Sequence, residues 1–293
     1  MVAFALGAMP GTDMVAAADV IAGETGDVRA IPRWPARGIM SDAVGATCAL
    51  LPDAPVAAGP RSWRLEARPQ LITRRLWDQA ERDLDLLEAE WGSSGFTVQV
   101  AALGPWSLAA QVELPNGHLA VTDPGALHDL TEIVTYGLAE HASRLRRRFH
   151  GEVNIQVNEP LLAALNRGEI AGTNDFDVLR PIPAKELGER LHYVFESLPG
   201  RRLLGSGSRP LFDVARIAQP DAIIVPQSAL VGSELLDGCA ATLDAGIRVS
   251  LGCVTLGNNV DDARDVAIQI AQLFDELRMD RAIIPELVDV TNA

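Results

Sequence analysis

Short apolar runs alternate with helical stretches along the whole chain, and this alternation is what most limits its possible folds. Clear examples of strand-like runs are residues 2–6, 96–102 and 153–157, and about eight runs of this kind alternate with helices. Two weaker runs, 62–65 and 282–284, are also predicted as short strands. Parallel strands joined by right-handed helical crossovers close after eight repeats into a (β/α)8 TIM barrel, which is the predicted fold.

The length of the chain agrees with one such barrel. With 293 residues, 48% of them hydrophobic, the chain can bury one large core, and we predict a single barrel domain over residues 1–293. Residues 27–62 interrupt the pattern because they are rich in proline and glycine, apart from a short helical stretch at 41–51. We predict a long loop there, of a length that usually has a function or moves.

Charge and cysteine content exclude several classes of function. The net charge of −14 and the pI near 4.8 argue against nucleic acid or an anionic membrane as a partner. The three cysteines include no CxxC pair, and no histidines have metal-ligand spacing, so neither a disulfide framework nor a zinc knuckle is predicted. The apolar run at 1–11 contains no Lys or Arg, which favours a buried first strand over a signal peptide. We therefore predict a cytoplasmic protein, in agreement with the cysteine content.

The run at 153–157 is the clearest candidate for a strand that carries a functional site. Apolar residues alternate with Asn154 and Gln156, and Pro160 must end the strand because it has no N–H. Asn158 and Glu159 therefore lie at a strand carboxyl end, where barrels of this type place working side chains, and both are predicted as catalytic. Glu159 could equally cap a loop or pair with an arginine.

Other candidates lie just past the remaining predicted strand ends. Glu286 could form a carboxylate pair with Glu159 for acid–base chemistry. Cys253 could be a nucleophile or a soft ligand, although a lone cysteine on an apolar strand is more often a core residue. The segment 205–208 could cradle a phosphate beside Arg209, but it lacks the established glycine-rich patterns. The predicted substrate-binding residues are Gly7, Ala8, Met9, Trp106, Ser206, Gln227, Cys253 and Glu286.

Several motifs resemble the catalytic domain of cobalamin-independent methionine synthase, in the short single-barrel form found in actinobacteria. Its motifs match, in the same order and mostly within the first 165 residues, the segments 7–11 (GAMPG), 35–38 (PARG), 62–65 (SWRL), 83–85 (DLD), 104–109 (GPWSLA), 117–118 (GH) and 158–160 (NEP). The resemblance implies a barrel of the methionine synthase/uroporphyrinogen decarboxylase-like type. It also implies methyl transfer to homocysteine, whose thiolate is held by zinc.

The positions expected to carry this chemistry differ from the family. A His-x-Cys, a Glu and a Cys are the family's zinc ligands, and their counterparts here are in the segments 205–208 (GSGS), 225–227 (VPQ) and 284–287 (IPEL). Asn158 replaces the Asp that the family uses for the amino group of homocysteine, and Ala8 replaces a Ser of the first turn. We therefore expect no metal and no cofactor, although zinc is expected for the family.

Three functions remain open from the sequence. The chain could be a methionine synthase-like barrel without zinc-dependent activity that binds a small molecule, possibly an amino acid or thiol, or a partner protein. It could be a methyltransferase that uses Cys253 or a partner's metal, with folate or a corrinoid protein as methyl donor. It could also be a decarboxylase or lyase that uses Glu159 and Glu286 on the same barrel.

Overall fold

Eight parallel strands form a nearly closed barrel with helices between them. The computed structural model describes residues 1–59, 61–93, 95–172, 179–254 and 262–292. The barrel strands, numbered in chain order, are β1 Ala3–Phe4, β2 Val28–Ala30, β3 Thr97–Leu103, β4 Val153–Asn158, β5 Arg201–Gly205, β6 Ala222–Pro226, β7 Arg248–Val254 and β8 Val288–Asn292. Each strand from β2 to β8 pairs in parallel with the next, and β8 pairs with β1. The predicted (β/α)8 fold is confirmed.

The seam between β1 and β2 is joined just beyond the strands themselves. A parallel bridge links Ala8 to Arg33. In this bridge Arg33 N–H donates to Gly7 O (2.7 Å), and Met9 N–H donates to Arg33 O (3.1 Å). Gly7 adopts a φ of +84°, and a Cβ there would lie 2.9 Å from Ile31 O, so glycine suits this turn for both reasons. The first turn of the chain is thereby fixed against the end of β2.

Helices surround the barrel and connect its strands. They are α1 Met14–Glu24, α2 Ala43–Cys48, α3 Leu71–Trp91, α4 Pro105–Ala109, α5 Pro124–Phe149, α6 Leu162–Arg167, α7 Ala184–Ser197, α8 Phe212–Ala218, α9 Ser233–Asp244, α10 Asp262–Glu276 and α11 Ile284–Leu287. The start of α5 follows its sequence signal, because the Asp123 side chain accepts the N–H of Ala126 and proline occupies the first turn. Within the described ranges, none of these helices combines the length and apolar character needed to cross a membrane.

Two predictions about the barrel's outline were wrong. The stretch 27–62 contains the predicted short helix, as α2, but it also contains β2 and a strand at residues 56–58, neither of which was predicted. Residues 63–65 do form a strand, but it belongs to a separate three-stranded sheet with residues 56–58 and 112–113. The predicted last strand at 282–284 is a helical turn instead, and β8 begins six residues later than that prediction. The pattern of so short an apolar run does not distinguish a strand from a helical turn.

The barrel interior has an apolar layer above an ionic floor. Phe4, Val28, Leu203, Ala222 and Ile224 form a cluster inside the barrel, distinct from the larger core between strands and helices. At the amino ends of the strands, Asp289 is fully buried and pairs with Arg201 and Arg248. Its carboxylate also accepts the N–H of Val2 at 2.8 Å. These pairs close the floor of the barrel around Asp289, and barrels of this type bind their ligands at the opposite, carboxyl end.

Candidate functional site

A chain of amide side chains leads through the barrel interior to the carboxyl end of β4. Gln99 Nε2 donates to Ala5 O and to Gln156 Oε1, each at 3.1 Å, and Gln156 Nε2 donates to Asn158 Oδ1 at 2.8 Å. Asn158 is thus held by its oxygen, and its Nδ2 has no partner among the described residues. A Cβ at Gly205 would lie 2.2 Å from Asn158 Oδ1. The neighbouring strand therefore needs glycine here to leave room for Asn158.

Glu159 points away from the barrel interior, towards the start of α4. Its Oε1 accepts the N–H of Trp106 at 3.0 Å, and its Oε2 accepts the N–H of Ser107 at 2.6 Å. The residue is fully buried, and a Cβ at Gly104 would lie 2.2 Å from Oε1. Glu159 thus joins β4 to α4, which is the capping role that the sequence left open. Its assignment as a catalytic group stays a prediction.

Burial dominates the acid–base behaviour of Glu159. Removal from water raises the pKa of its carboxyl to about 7, although hydrogen bonds from Ser107 and Trp106 oppose that rise. A carboxyl group with this pKa is suited in principle to proton transfer near neutral pH. Both of its oxygens are occupied by backbone N–H groups in the described structure, however. Proton exchange with a ligand would first require α4 to shift.

A cavity of about 310 Å³ lies at the mouth of the barrel, beside the ends of β1, β3 and β4. The residues of its walls are mostly small, and its polar side chains come from the segment after β2, from the region around α2 and from the end of β4. The lining residues are Ala8, Arg33, Ser41, Asp42, Ala43, Ala46, Thr47, Ala101, Ala102, Leu103 and Asn158. Two predicted site residues, Ala8 and Asn158, therefore lie in one cavity. The volume suits a small molecule rather than a large cofactor.

Arg33 is the residue of this cavity that the sequence analysis missed. It lies in the proline- and glycine-rich stretch that was predicted to be a loop, and no motif marks it. Its Nη2 donates to Leu6 O at 3.1 Å, while its Nε is enclosed and has no partner in the described part of the chain. Burial lowers the pKa of Arg33, and no described carboxylate lies within ion-pair distance of it.

The other predicted residues are spread more widely. Trp106 is fully buried in α4, and its Nε1 donates to Leu187 O at 3.1 Å. Ser206 is also buried, and its hydroxyl donates to Ile224 O at 3.3 Å. Gln227 follows the end of β6 and is half-buried. These three residues lie around the carboxyl end of the barrel but do not line the mouth cavity.

Cys253 and Glu286 are separated from that cavity as well. Cys253 is half-buried near the end of β7, where burial raises the pKa of its thiol. Glu286 is exposed in α11, just before β8. It therefore lies at the amino end of the barrel, opposite Glu159, and the prediction that it follows a strand end was wrong. The two carboxylates cannot form an acid–base pair, because the length of the barrel separates them.

The residues at the expected metal positions do not suit zinc. The end of β5 presents glycine and serine, and the end of β6 presents proline and Gln227, whereas zinc prefers thiolate, imidazole and carboxylate ligands. The segment 284–287 precedes β8 and lies at the other end of the barrel. The described residues include no group of three or more His, Cys, Asp or Glu side chains that could hold a metal ion.

Comparison with known proteins supports the fold. No protein-family model and no curated protein sequence matches the chain. A solved structure of a methyltransferase from Methanosarcina mazei superposes with a TM-score of 0.55 at 12% identity, over 95% of this chain and 77% of that one. A B12-independent methionine synthase from Shewanella sp. W3-18-1, in complex with selenomethionine, superposes with a TM-score of 0.47 at 13% identity, over 79% of this chain and 62% of that one. At 12% identity, the superposition on the methyltransferase indicates a shared fold.

Proposed function

We propose that this protein is a methionine synthase-like barrel that does not carry out zinc-dependent methyl transfer and instead binds a small molecule at its mouth. The observation that supports this most directly is the chemistry of the strand ends. Serine and glutamine side chains follow β5 and β6, where the family resemblance expects zinc ligands. A hydroxyl and an amide neither bind zinc well nor lower the pKa of a substrate thiol.

The mouth cavity is the site at which we propose that the small molecule binds. It is built from the first turn and the end of β4, two of the segments that carry the family resemblance. Ala8 and Asn158 are both uncharged, and an amide cannot offer the carboxylate that would pair with the ammonium group of homocysteine. A scaffold that retains its motifs but has changed these residues supports a different ligand.

Of the other two functions, neither gains an observation in its favour. A lyase that uses Glu159 with Glu286 would require two carboxylates at opposite ends of the barrel to act together. A methyltransferase based on Cys253 would require an accessible thiolate, but burial raises the pKa of that thiol. A corrinoid protein as methyl-donating partner belongs to the methyltransferase alternative and depends on the family resemblance. The cytoplasmic location that we also propose is supported by the cysteine content of the sequence.

Metal analysis combined with calorimetry tests the proposal. The purified protein would be equilibrated with zinc, freed of excess metal and assayed for bound zinc, and then titrated with homocysteine. We expect well below one zinc per chain and no heat of homocysteine binding. About one zinc per chain together with homocysteine binding would overturn the proposal. A Cys253→Ser variant measured in parallel shows whether any retained zinc depends on that thiol, as the methyltransferase alternative requires.

A further inference from the structure

Arg33 is a cation whose hydrogen-bonding capacity is mostly unused. A guanidinium group carries five N–H donors in a planar fork. The described residues provide one acceptor, Leu6 O, and leave the enclosed Nε without a partner. Arg33 is half-buried, and a charge that is partly removed from water without a counterion is costly. An arginine in this state at the edge of a cavity is therefore a candidate for binding an anion that enters from solvent.

The one carboxylate in the cavity wall is already engaged with other donors. Asp42 Oδ1 accepts the N–H of Gly45 at 2.7 Å, and Oδ2 accepts Trp63 Nε1 at 2.9 Å. Asp42 caps α2 and fixes Trp63, and it forms no ion pair with Arg33 among the described residues. It nevertheless places a negative charge on the wall. This charge repels a phosphate dianion more strongly than it repels an anion with one charge.

The rest of the lining limits the size and polarity of the ligand. Most of the wall is methyl and backbone surface from alanines 8, 43, 46, 101 and 102, with Leu103 beside them. Such a wall favours a short uncharged tail. Asn158 supplies a second polar contact, because its Oδ1 is held by Gln156 and its Nδ2 is left as a free donor among the described residues. Arg33 and Asn158 thus both offer donors to a ligand.

We propose that the mouth cavity binds the carboxylate of a small molecule with a short uncharged tail, with Arg33 as the charged partner and Asn158 as a second donor. This inference rests on the proposed function, because it names the ligand class for the same site. A planar carboxylate matches the fork of a guanidinium better than a spherical anion does. The ligand differs from an amino acid because the cavity offers no free carboxylate for an ammonium group.

Titration with simple carboxylates tests the inference. Acetate, propionate and butyrate would be compared with inorganic phosphate and butylamine, using ligand-observed NMR and calorimetry on the full chain. We expect the carboxylates to bind and butyrate to bind most tightly of the three. The Arg33→Gln variant should weaken butyrate at least about tenfold, as loss of a charge-assisted hydrogen bond requires. The butyrate affinity of Arg33→Lys should lie between those of the wild type and Arg33→Gln, because lysine keeps the charge but not the planar fork.

Two further variants keep the test independent of any folding defect at Arg33. Asn158→Asp retains the oxygen that Gln156 contacts but adds a negative charge, and it should weaken butyrate about as much as Arg33→Gln does. Arg281→Gln removes an exposed arginine that pairs with Asp275 at the amino end of the barrel, and should leave binding unchanged. Equal loss in Arg281→Gln would show that binding follows the overall charge and would overturn the assignment.

The outcomes separate this inference from the proposed function. If the protein holds no stoichiometric zinc and also binds no carboxylate, the inference fails while the proposal of an inactive zinc site stands. Tighter binding of phosphate or butylamine than of butyrate would likewise overturn only the ligand class. Stoichiometric zinc with homocysteine binding would overturn the proposed function itself, whatever butyrate does.

Discussion

Replacement of Glu159 by glutamine should remove a pH-dependent part of the protein's stability. The carboxyl group is fully buried, and burial raises its pKa to about 7 from the ordinary value of 4.5. Because the folded-state pKa is the higher one, folding favours the protonated form. The resulting stabilisation is complete below the unfolded-state pKa and is lost as the pH rises through 7.

The size of this effect follows from the two pKa values. Linkage between them gives a contribution of about 2.5 kcal/mol at about pH 5 that falls to nearly zero at about pH 8. A glutamine at this position does not titrate. It also keeps one acceptor but sets an NH2 group against a backbone N–H, so the variant should be about 1–3 kcal/mol less stable even at high pH.

Urea unfolding of both proteins at several pH values checks this reasoning. The difference in unfolding free energy between wild type and Glu159→Gln should grow by about 2.5 kcal/mol as the pH falls from about 8 to about 5. Other titrating groups cancel in this difference as long as they do not contact the site. Glu140→Gln, at an exposed position on α5, serves as the control and should show no such trend. A difference for Glu159→Gln that is constant across this pH range would refute the reasoning.

Three other predictions concern the floor, the mouth and the thiols. Asp289→Asn should cost about 3–5 kcal/mol in urea unfolding because it removes the charge of the fully buried carboxylate that pairs with Arg201 and Arg248. Asp275→Asn, at an exposed pair, should cost less than about 1 kcal/mol. Similar losses in the two variants would contradict the assignment of Asp289 to a buried ionic floor. Gly205→Ala should cost about 1–3 kcal/mol because its Cβ would meet Asn158, while Gly23→Ala, with open space around it, should be neutral or stabilising. Cys253 should be the first thiol alkylated in the native protein, since Cys48 and Cys239 are buried; mass spectrometry that found either of those labelled first would contradict this.

Gly205 and Gly104 share a structural role that has consequences for the site. Each leaves room for a polar side chain of the Asn158–Glu159 pair, at 2.2 Å from the position that a Cβ would occupy. Together they direct the two side chains to different places, Asn158 to the mouth cavity and Glu159 to α4. A binding role for Asn158 and an anchoring role for Glu159 follow from that separation.

Local patterns in the sequence were sufficient to predict the barrel fold. The alternation at 153–157 identified β4, and the cap residue Asp123 followed by proline marks the start of α5, because such signals depend only on near neighbours along the chain. The sequence did not predict β2 and β8 correctly. β2 is a three-residue strand in a proline-rich stretch, and a helical turn occupies the position at which the last strand was predicted, before β8. Such short elements form because neighbouring strands pair with them, and the sequence around them carries little signal of its own.

The candidate site was decided by tertiary structure. Asn158 could be recognised from its place after a strand, but its partner Arg33 lies 125 residues earlier in the chain and shares no motif with it. Closure of the barrel brings the end of β2 beside the first turn and near β4, and only then does Arg33 meet the cavity. The direction of the Glu159 carboxylate likewise depends on where α4 packs. Sequence determines which segments form strands and helices, whereas the register and closure of the sheet determine which side chains meet.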